Sequence, residues 1–295
     1  MTTQKRRKSN WYIYAAAFAI TMAFAVMAVS TLWDKIMPEK SGYVVNSSGK
    51  ASYLPDASNN MMVLVMISYQ RATAPDYFVL INYRPAEEII ECIPFRADTK
   101  ASVGGRTGTL ASLYDSGGVA SMQYAFEGML GIKCDFYIKF DSSTFMNFID
   151  STGKVAVNIP YDVQNDSGET VFKSGTHSLG GTELFSYMES QKPTAEEDYQ
   201  SVVVGGIATY VLNTSFRNLS STLMQTYFTT IINTTDTNIT FEDYTARQKA
   251  FMYTSESSYN PAKYYIPYGE ADESGSFVIA ENSIATIKER LTAQS

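Results

Sequence analysis

No stretch limits the fold of this chain more than residues 89–163, where the spacing of apolar residues changes character several times. It opens on Ile89, Ile90, Cys92 and Ile93, breaks at Pro94, and sets Arg96, Asp98 and Thr99 where a strand would give way to a loop. Past Gly104, Gly105 and Gly108, the residues Val119, Met122, Phe126, Met129 and Leu130 recur at helical spacing. Phe136, Ile138 and Phe140 then alternate with Tyr137, Lys139 and Asp141, the period of a strand with one face buried more deeply than the other. Residues 145–149 read as a short helix stopped by Gly153, and 155–159 as a further strand ending at Pro160. Strands and helices taking turns through short loops predict an α/β domain: a mixed, mostly central β-sheet covered by helices on both faces. In such sheets ligands sit where strands end, which directs attention to Arg96 and Asp98.

The flanking segments extend this pattern over residues 61–291. Residues 61–67 form a continuous apolar run, as a strand buried on both faces would, and 77–81 form a second. Asp76 falls at the entry to that second strand, beside the end of the first. Val171 and Phe172 suggest a short edge strand. Residues 179–190 suggest a helix with Leu184, Tyr187 and Met188 as its stripe, and 219–232 another with Leu219, Leu223, Tyr227 and Ile231 at i+4 steps. Residues 202–212 are an apolar run in which Gly205 and Gly206 would let another backbone come close. Residues 234–268, rich in Thr, Tyr, Asn and Ser, show no clear period. Residues 277–280 read as a final strand, and 283–291 as a closing helix with Glu289 and Arg290 outward.

Residues 11–33 carry no charge and are long enough to span the ~30 Å hydrocarbon core as a helix. Trp11, Tyr12 and Tyr14 flank one end and Trp33 the other. Lys5, Arg6, Arg7 and Lys8 place the N-terminus in the cytoplasm and everything after Trp33 outside. A cleaved signal peptide, with Val26, Met27 and Ala28 at the cut, is the competing reading, but the apolar run of such a peptide is usually ~7–15 residues. The expected layout is a basic cytoplasmic tail (1–10), a transmembrane helix (11–33), a Pro-, Gly-, Ser- and Asn-bearing extracytoplasmic linker (34–60) and the α/β domain (61–291). That makes a single-pass protein of the cell membrane with its domain extracytoplasmic.

The formal net charge of −7 argues against nucleic acid as a partner, since such binding needs a basic face. Cys92 and Cys134 stand in strand-like runs rather than at metal-ligand spacing, and read as two buried thiols. A disulfide between them is open only if their strands are neighbours. His177 is the only histidine, which leaves little for a His-based zinc site or a Ser-His-Asp triad.

Taken in order, several short motifs resemble the LytR-CpsA-Psr family. Ile93-Pro94-Phe95-Arg96-Ala97-Asp98-Thr99 is similar to that family's Ile-Pro-Arg-Asp-Thr loop. Tyr114 with Gly117 and Gly118, Leu130-Gly131-Ile132, Asp135-Phe136-Tyr137, Asp150 with Gly153-Lys154-Val155, and residues 175–187 continue the series. The resemblance covers most of 61–291 and implies the family's α/β/α fold. It also implies that the protein takes part in moving a glycan polymer from a polyprenyl-pyrophosphate-type carrier onto peptidoglycan outside the membrane. In that chemistry arginines grip the pyrophosphate, a carboxylate-bound Mg2+ offsets charge on the leaving phosphate, and a carboxylate serves as base. Carried over residue by residue, Asp98 is the candidate catalytic group, Arg96 and Arg106 the candidate phosphate ligands, and Asp76 the candidate metal ligand.

The sequence also departs from the pattern. Ser68 stands where the family has its other metal-binding Asp, Ala74 where it has an Arg, and Thr109 where it has a Lys. The family's Tyr-x-Arg-x-Arg reads Tyr187-Met188-Glu189-Ser190-Gln191, and its later cationic segment reads Asp198-Tyr199-Gln200-Ser201 and Val203-Val204-Gly205. Each lost charge-assisted contact is worth ~1.5–3 kcal/mol. The expected function is therefore binding of a polyprenyl-linked glycan with weakened or lost phosphotransfer. Two other readings stand beside it: a working transferase in which Arg96, Arg106 and Arg71 hold the phosphate, and a non-enzymatic cell-surface interaction module suggested by 234–268.

Overall fold

The computed structural model describes residues 43–45, 51–191, 198–257 and 259–292. The chain divides into two compact units, residues 1–52 and 53–295, and the second carries the main sheet and the candidate site. The expected basic tail and membrane span lie outside the described residues, as does most of the linker. Among the described residues no helix is long and apolar enough to cross a membrane.

Strands β1 (Tyr43–Val45) and β2 (Ala51–Tyr53) form a two-stranded sheet. Then come β3 (Met61–Ser68), β4 (Tyr77–Arg84), β5 (Ile89–Arg96), the hairpin β6 (Lys100–Val103) and β7 (Arg106–Thr109), and helix α1 (Leu110–Leu130). They are followed by β8 (Phe136–Asp141), α2 (Ser142–Thr152), β9 (Val155–Ile159), β10 (Val163–Gln164), β11 (Thr170–Phe172), β12 (Gly175–Leu179) and α3 (Gly181–Ser190). The rest is α4 (Tyr199–Tyr210) running into a π-helical turn (Val211–Ser215), α5 (Ser221–Thr234), β13 (Asp236–Thr237), α6 (Phe241–Ser255), β14 (Ala262–Tyr264), β15 (Gly269–Ala271), β16 (Phe277–Ile279) and α7 (Glu281–Thr292).

The main sheet is mixed, in the order β13-β8-β3-β4-β5-β14, with β3 parallel to β8 and antiparallel to β4. Because successive strand residues point to opposite faces, its central strands feed two cores. Val63 and Ile67 of β3, with Ile90 and Cys92 of β5, join the first core, built up by α2, α3, α4, α5 and α6. Leu64 and Met66, with Ile93 and Phe95, join the second, closed by α1, α7 and β16. Helices thus cover both faces, and β3 and β4 are apolar at nearly every position because neither face meets water.

Several expectations change. Helix α1 starts at Leu110 rather than Val119, with Thr109 capping Ser112, and bends at Gly118, whose φ of 59° and ψ of −150° suit glycine alone. That bend puts the apolar residues on its two sides out of phase. β9 leaves the main sheet and pairs antiparallel with β12. The run at 202–212 is helical, and Gly205 admits a ring rather than a backbone, since a Cβ there would meet Tyr264 at 2.8 Å. On α5 the buried stripe is Met224, Tyr227 and Ile231, while Leu223 is exposed. Residues 241–255 form a helix despite their polarity, started by reciprocal hydrogen bonds between Thr240 and Asp243. Arg290 does not stand free of the core: its guanidinium covers the Tyr265 ring at 4.8 Å and lies 3.4 Å from Glu91. Cys134 precedes β8 rather than lying in a strand; it belongs to the second core and Cys92 to the first, so both stay free thiols. Burial pushes the Cys134 thiol up to about 12 and the Cys92 thiol upward as well.

Candidate functional site

One edge of the main sheet gathers the ends of β3 and β5 and the start of β4. The register sets Ile67 opposite Tyr77 and Tyr77 opposite Arg96, so Asp76 and Arg96 stand on adjacent strands at this edge. The Asp76 N–H donates to the Ile67 carbonyl at 2.9 Å, and its Oδ2 accepts the Tyr69 N–H at 2.9 Å, which closes the 69–75 loop. Arg96, with its side chain only 9% exposed, grips Asp98 in fork fashion: Nε to Oδ1 at 2.9 Å and Nη2 to Oδ2 at 2.7 Å. Its guanidinium also lies 4.6 Å from the centre of the Phe277 ring. The turn that brings the two together is fixed by Thr99 N–H donating to the Arg96 carbonyl and Phe277 N–H donating to the Asp98 carbonyl.

The other two candidates fare differently. Arg106 is exposed at the tip of the β6–β7 hairpin, opposite Val103. The first pair of that hairpin, Lys100 with Thr109, is three residues or ~10 Å away, so the Arg106 backbone stands apart from the turn that holds Arg96 and Asp98. Ser68 is fully buried and donates its hydroxyl to the Phe140 carbonyl at 3.3 Å. Arg71 is exposed in the 69–75 loop. Asp141 at the start of α2 is held below its ordinary range: burial works to raise it, but hydrogen bonds from Thr144 and Ser143 and the Arg71 charge outweigh that.

Two residues of this edge were not candidates from sequence. Lys139 is 4% exposed and donates from Nζ to the carbonyls of Arg71 at 2.6 Å and Thr73 at 3.1 Å, with the Tyr114 ring 4.9 Å away. The alternation of this strand sets Lys139 with Tyr137 and Asp141 on the polar side, so its burial had no signal in the spacing. Glu189, at the end of α3, shares the neighbourhood of Asp76. Burial raises the Glu189 carboxyl above its usual range and the Asp76 charge raises it further. The Tyr77 hydroxyl, buried between them, is pushed up by burial first and then by Asp76 and Glu189.

Among the described residues no three His, Cys, Asp or Glu side chains gather as a metal cage. Asp76 and Glu189 are nonetheless two neighbouring carboxylates, and the charge of Asp76 adds to the burial that raises Glu189. A magnesium ion commonly takes one or two protein carboxylates and fills its remaining positions with water and phosphate.

Below this edge, on the first face of the sheet, lies an apolar cavity of about 230 Å³. Its upper end is walled by Ile67, Phe140 and Met188, the neighbours of Ser68, Asp141 and Glu189. Its lower end is walled by Tyr83, Phe251 and Thr254, and no charged side chain lines it among the described residues.

The family described as LytR_cpsA_psr matches residues 34–293. The chain is 24% identical over 283 residues to the polyisoprenyl-teichoic acid–peptidoglycan teichoic acid transferase TagU of Bacillus licheniformis, covering 89% of this chain and 87% of the relative. Among solved structures, a putative transcription regulator from Eubacterium siraeum is similar with a TM-score of 0.75 at 23% identity, covering 84% of this chain and 96% of that one. TagV of Bacillus subtilis is similar with a TM-score of 0.64 at 18% identity, over 79% and 95%. A structure titled as TagT bound to LI-WTA gives 0.61 at 16% identity, over 79% and 89%. At these identities the structural likenesses speak for the fold.

Proposed function

The chain belongs to the LytR-CpsA-Psr family, and from that premise we propose that it binds a polyprenyl-(pyro)phosphate-linked glycan outside the membrane, anchored by residues 11–33, with weakened or lost phosphotransfer. The observation that carries this reading is the apolar cavity whose wall reaches Ile67, the residue that accepts the Asp76 N–H, at the strand ends where Tyr77 pairs with Arg96. Such a cavity suits an isoprenoid chain, and the edge suits its phosphate. The name of the Bacillus licheniformis relative, which couples a polyisoprenyl-linked polymer to peptidoglycan, supports the same pairing of lipid and glycan.

The expected chemistry follows from the fork between Arg96 and Asp98. A phosphate that drew Nε and Nη2 of Arg96 to itself would release the Asp98 carboxylate, the group placed to take a proton from an acceptor hydroxyl. Binding of phosphate must therefore displace an existing charged partner, which lowers the net gain. Glu189, standing where the family resemblance puts an arginine, adds a negative charge beside that phosphate. Asp76 and Glu189 would hold a magnesium ion, which when bound supplies positive charge against phosphate oxygens.

The test is to give the purified protein a polyprenyl-pyrophosphate-linked glycan with Mg2+ and follow binding and release of the lipid phosphate. Binding with little release is expected, and with Mg2+ left out Glu189→Arg should tighten binding about ten- to a hundredfold, the equivalent of ~1.5–3 kcal/mol from one charge-assisted contact. Brisk magnesium-dependent cleavage by the unaltered protein would overturn the weakened step and favour the active transferase with a reorganised phosphate site. The position of Arg71 in the loop that Asp76 closes is the observation behind that second reading, and it would be abandoned if Arg96→Ala left activity unchanged.

A further inference from the structure

The lower end of the cavity is built differently from its walls. Tyr83 of β4 and Thr254 of α6 meet there, with the two hydroxyls 2.8 Å apart. Thr254 already donates its own proton to the Ala250 carbonyl at 3.1 Å, so Tyr83 is the donor in the clasp. The Tyr83 ring lies 5.4 Å from Phe251, Phe251 stacks on Phe228 at 4.6 Å, and Phe228 contacts Tyr244 at 4.8 Å. Tyr83 is 5% exposed and Phe251 8%, so these rings stop the cavity rather than frame an opening.

The size of the space above this stop sets a limit. A cavity of roughly 150 Å³ holds one benzene, which is about 25 Å³ per carbon. At that density 230 Å³ takes about nine carbons, or roughly two isoprene units. Six strand steps separate Met61, opposite Tyr83, from Ile67 at the upper end, a span of ~20 Å.

We propose that the aromatic stop formed by Tyr83, Phe251 and Phe228, clasped by Thr254, determines how many isoprene units of a polyprenyl chain this protein encloses. By volume the space holds about two units and by span the stop lies about four units from the upper end, so about two to four units are enclosed and the remainder of a longer chain stays outside. This rests on the reading of the cavity as an isoprenoid site. Phe251 belongs to the stop and touches none of the residues assigned to the phosphate edge.

The experiment measures affinity of the full chain for geranyl, farnesyl, geranylgeranyl and undecaprenyl phosphates, in unaltered protein and in Phe251→Ala. Each isoprene unit buried adds at least about tenfold in affinity, and a unit left outside adds little. Unaltered protein should therefore gain up to farnesyl or geranylgeranyl phosphate and then level off, and Phe251→Ala should move the plateau outward by about one unit. Affinity that keeps climbing tenfold per unit through undecaprenyl phosphate, or a plateau that Phe251→Ala leaves in place, would overturn the proposal while leaving the lipid reading intact. If no member of the series binds the unaltered protein, the lipid reading fails first. Phe251→Leu, a smaller truncation, gives the same comparison with a smaller shift if the alanine variant does not fold, and the unaltered protein's length series decides the matter without either variant.

Discussion

The two faces of the central sheet are made from the same three strands and end up in different states. On the second face Leu64, Phe78, Leu80 and Ile93 are fully buried against α1 and α7, with Phe95 and Phe126 packed edge to face at 5.0 Å. On the first face Val65, Ile81 and Ile138 keep partial exposure around open space. The hydrophobic content is alike, so the hollow is a matter of geometry. Five helices contribute to the first face, where aromatic rings meet one another in the contacts of Phe145 with Phe185, Phe148 with Phe216 and Phe228 with Phe251. The second face is covered by α1 and α7, and residues on both sides of the Gly118 bend, Leu110 and Leu113 before it and Met122, Phe126 and Leu130 after it, are buried there. One face stores stability and the other stores space.

The contrast can be tested first by truncation. Phe78→Ala on the filled face should cost ~3–5 kcal/mol in urea unfolding, whereas Val65→Ala, whose side chain already borders the cavity, should cost about 1 kcal/mol, because it loses fewer contacting atoms. Equal costs would mean that the hollow closes up in solution. Next in size, Arg96→Ala should lower stability by about 1.5 kcal/mol through loss of the fork to Asp98 and the Phe277 contact, discounted because Asp98 is partly exposed. An Arg96→Lys variant should recover little of this, since an ammonium cannot make both bonds in parallel.

The smallest effect concerns pH. Because the Glu189 carboxyl is raised in the folded protein, its contribution to stability is present below its unfolded value and is lost as pH rises through its folded value. Thermal unfolding followed from about pH 4 to pH 7 should show this loss, and Glu189→Gln should flatten it. An unchanged slope would remove Glu189 from the neighbourhood of Asp76.

Much of the architecture was legible because burial on two faces writes a plain signal: β3, β4 and β5 read as apolar runs, β8 as an alternation, and α7 as an amphipathic close. What escaped detection has physical causes. β13 and β14 are two and three residues long and owe their place to pairing with β8 and β5 rather than to their own pattern. α6 carries its apolar residues too sparsely to show a stripe, although Thr240 and Asp243 mark its start. At the site, the ordered motifs led to Asp76, Arg96 and Asp98 at one edge, but the local fork that ties Arg96 to Asp98 depends on a turn fixed by Phe277, far along the chain. The partnership of Asp76 with Glu189 joins residues more than a hundred positions apart and left no trace in spacing.

Lys139 shows how misleading a tally of cations can be. Its ammonium sits beneath the 69–75 loop with two carbonyl oxygens and an aromatic face around it, so it behaves as a rivet for the backbone and not as bait for an anion. Exchanging it for methionine should loosen that loop, and with it the seat of Asp76, while the field met by an approaching phosphate hardly changes. Ligand specificity at this rim is then decided by which positive charges the architecture has already engaged, and a homologue with the same number of lysines could present a very different surface.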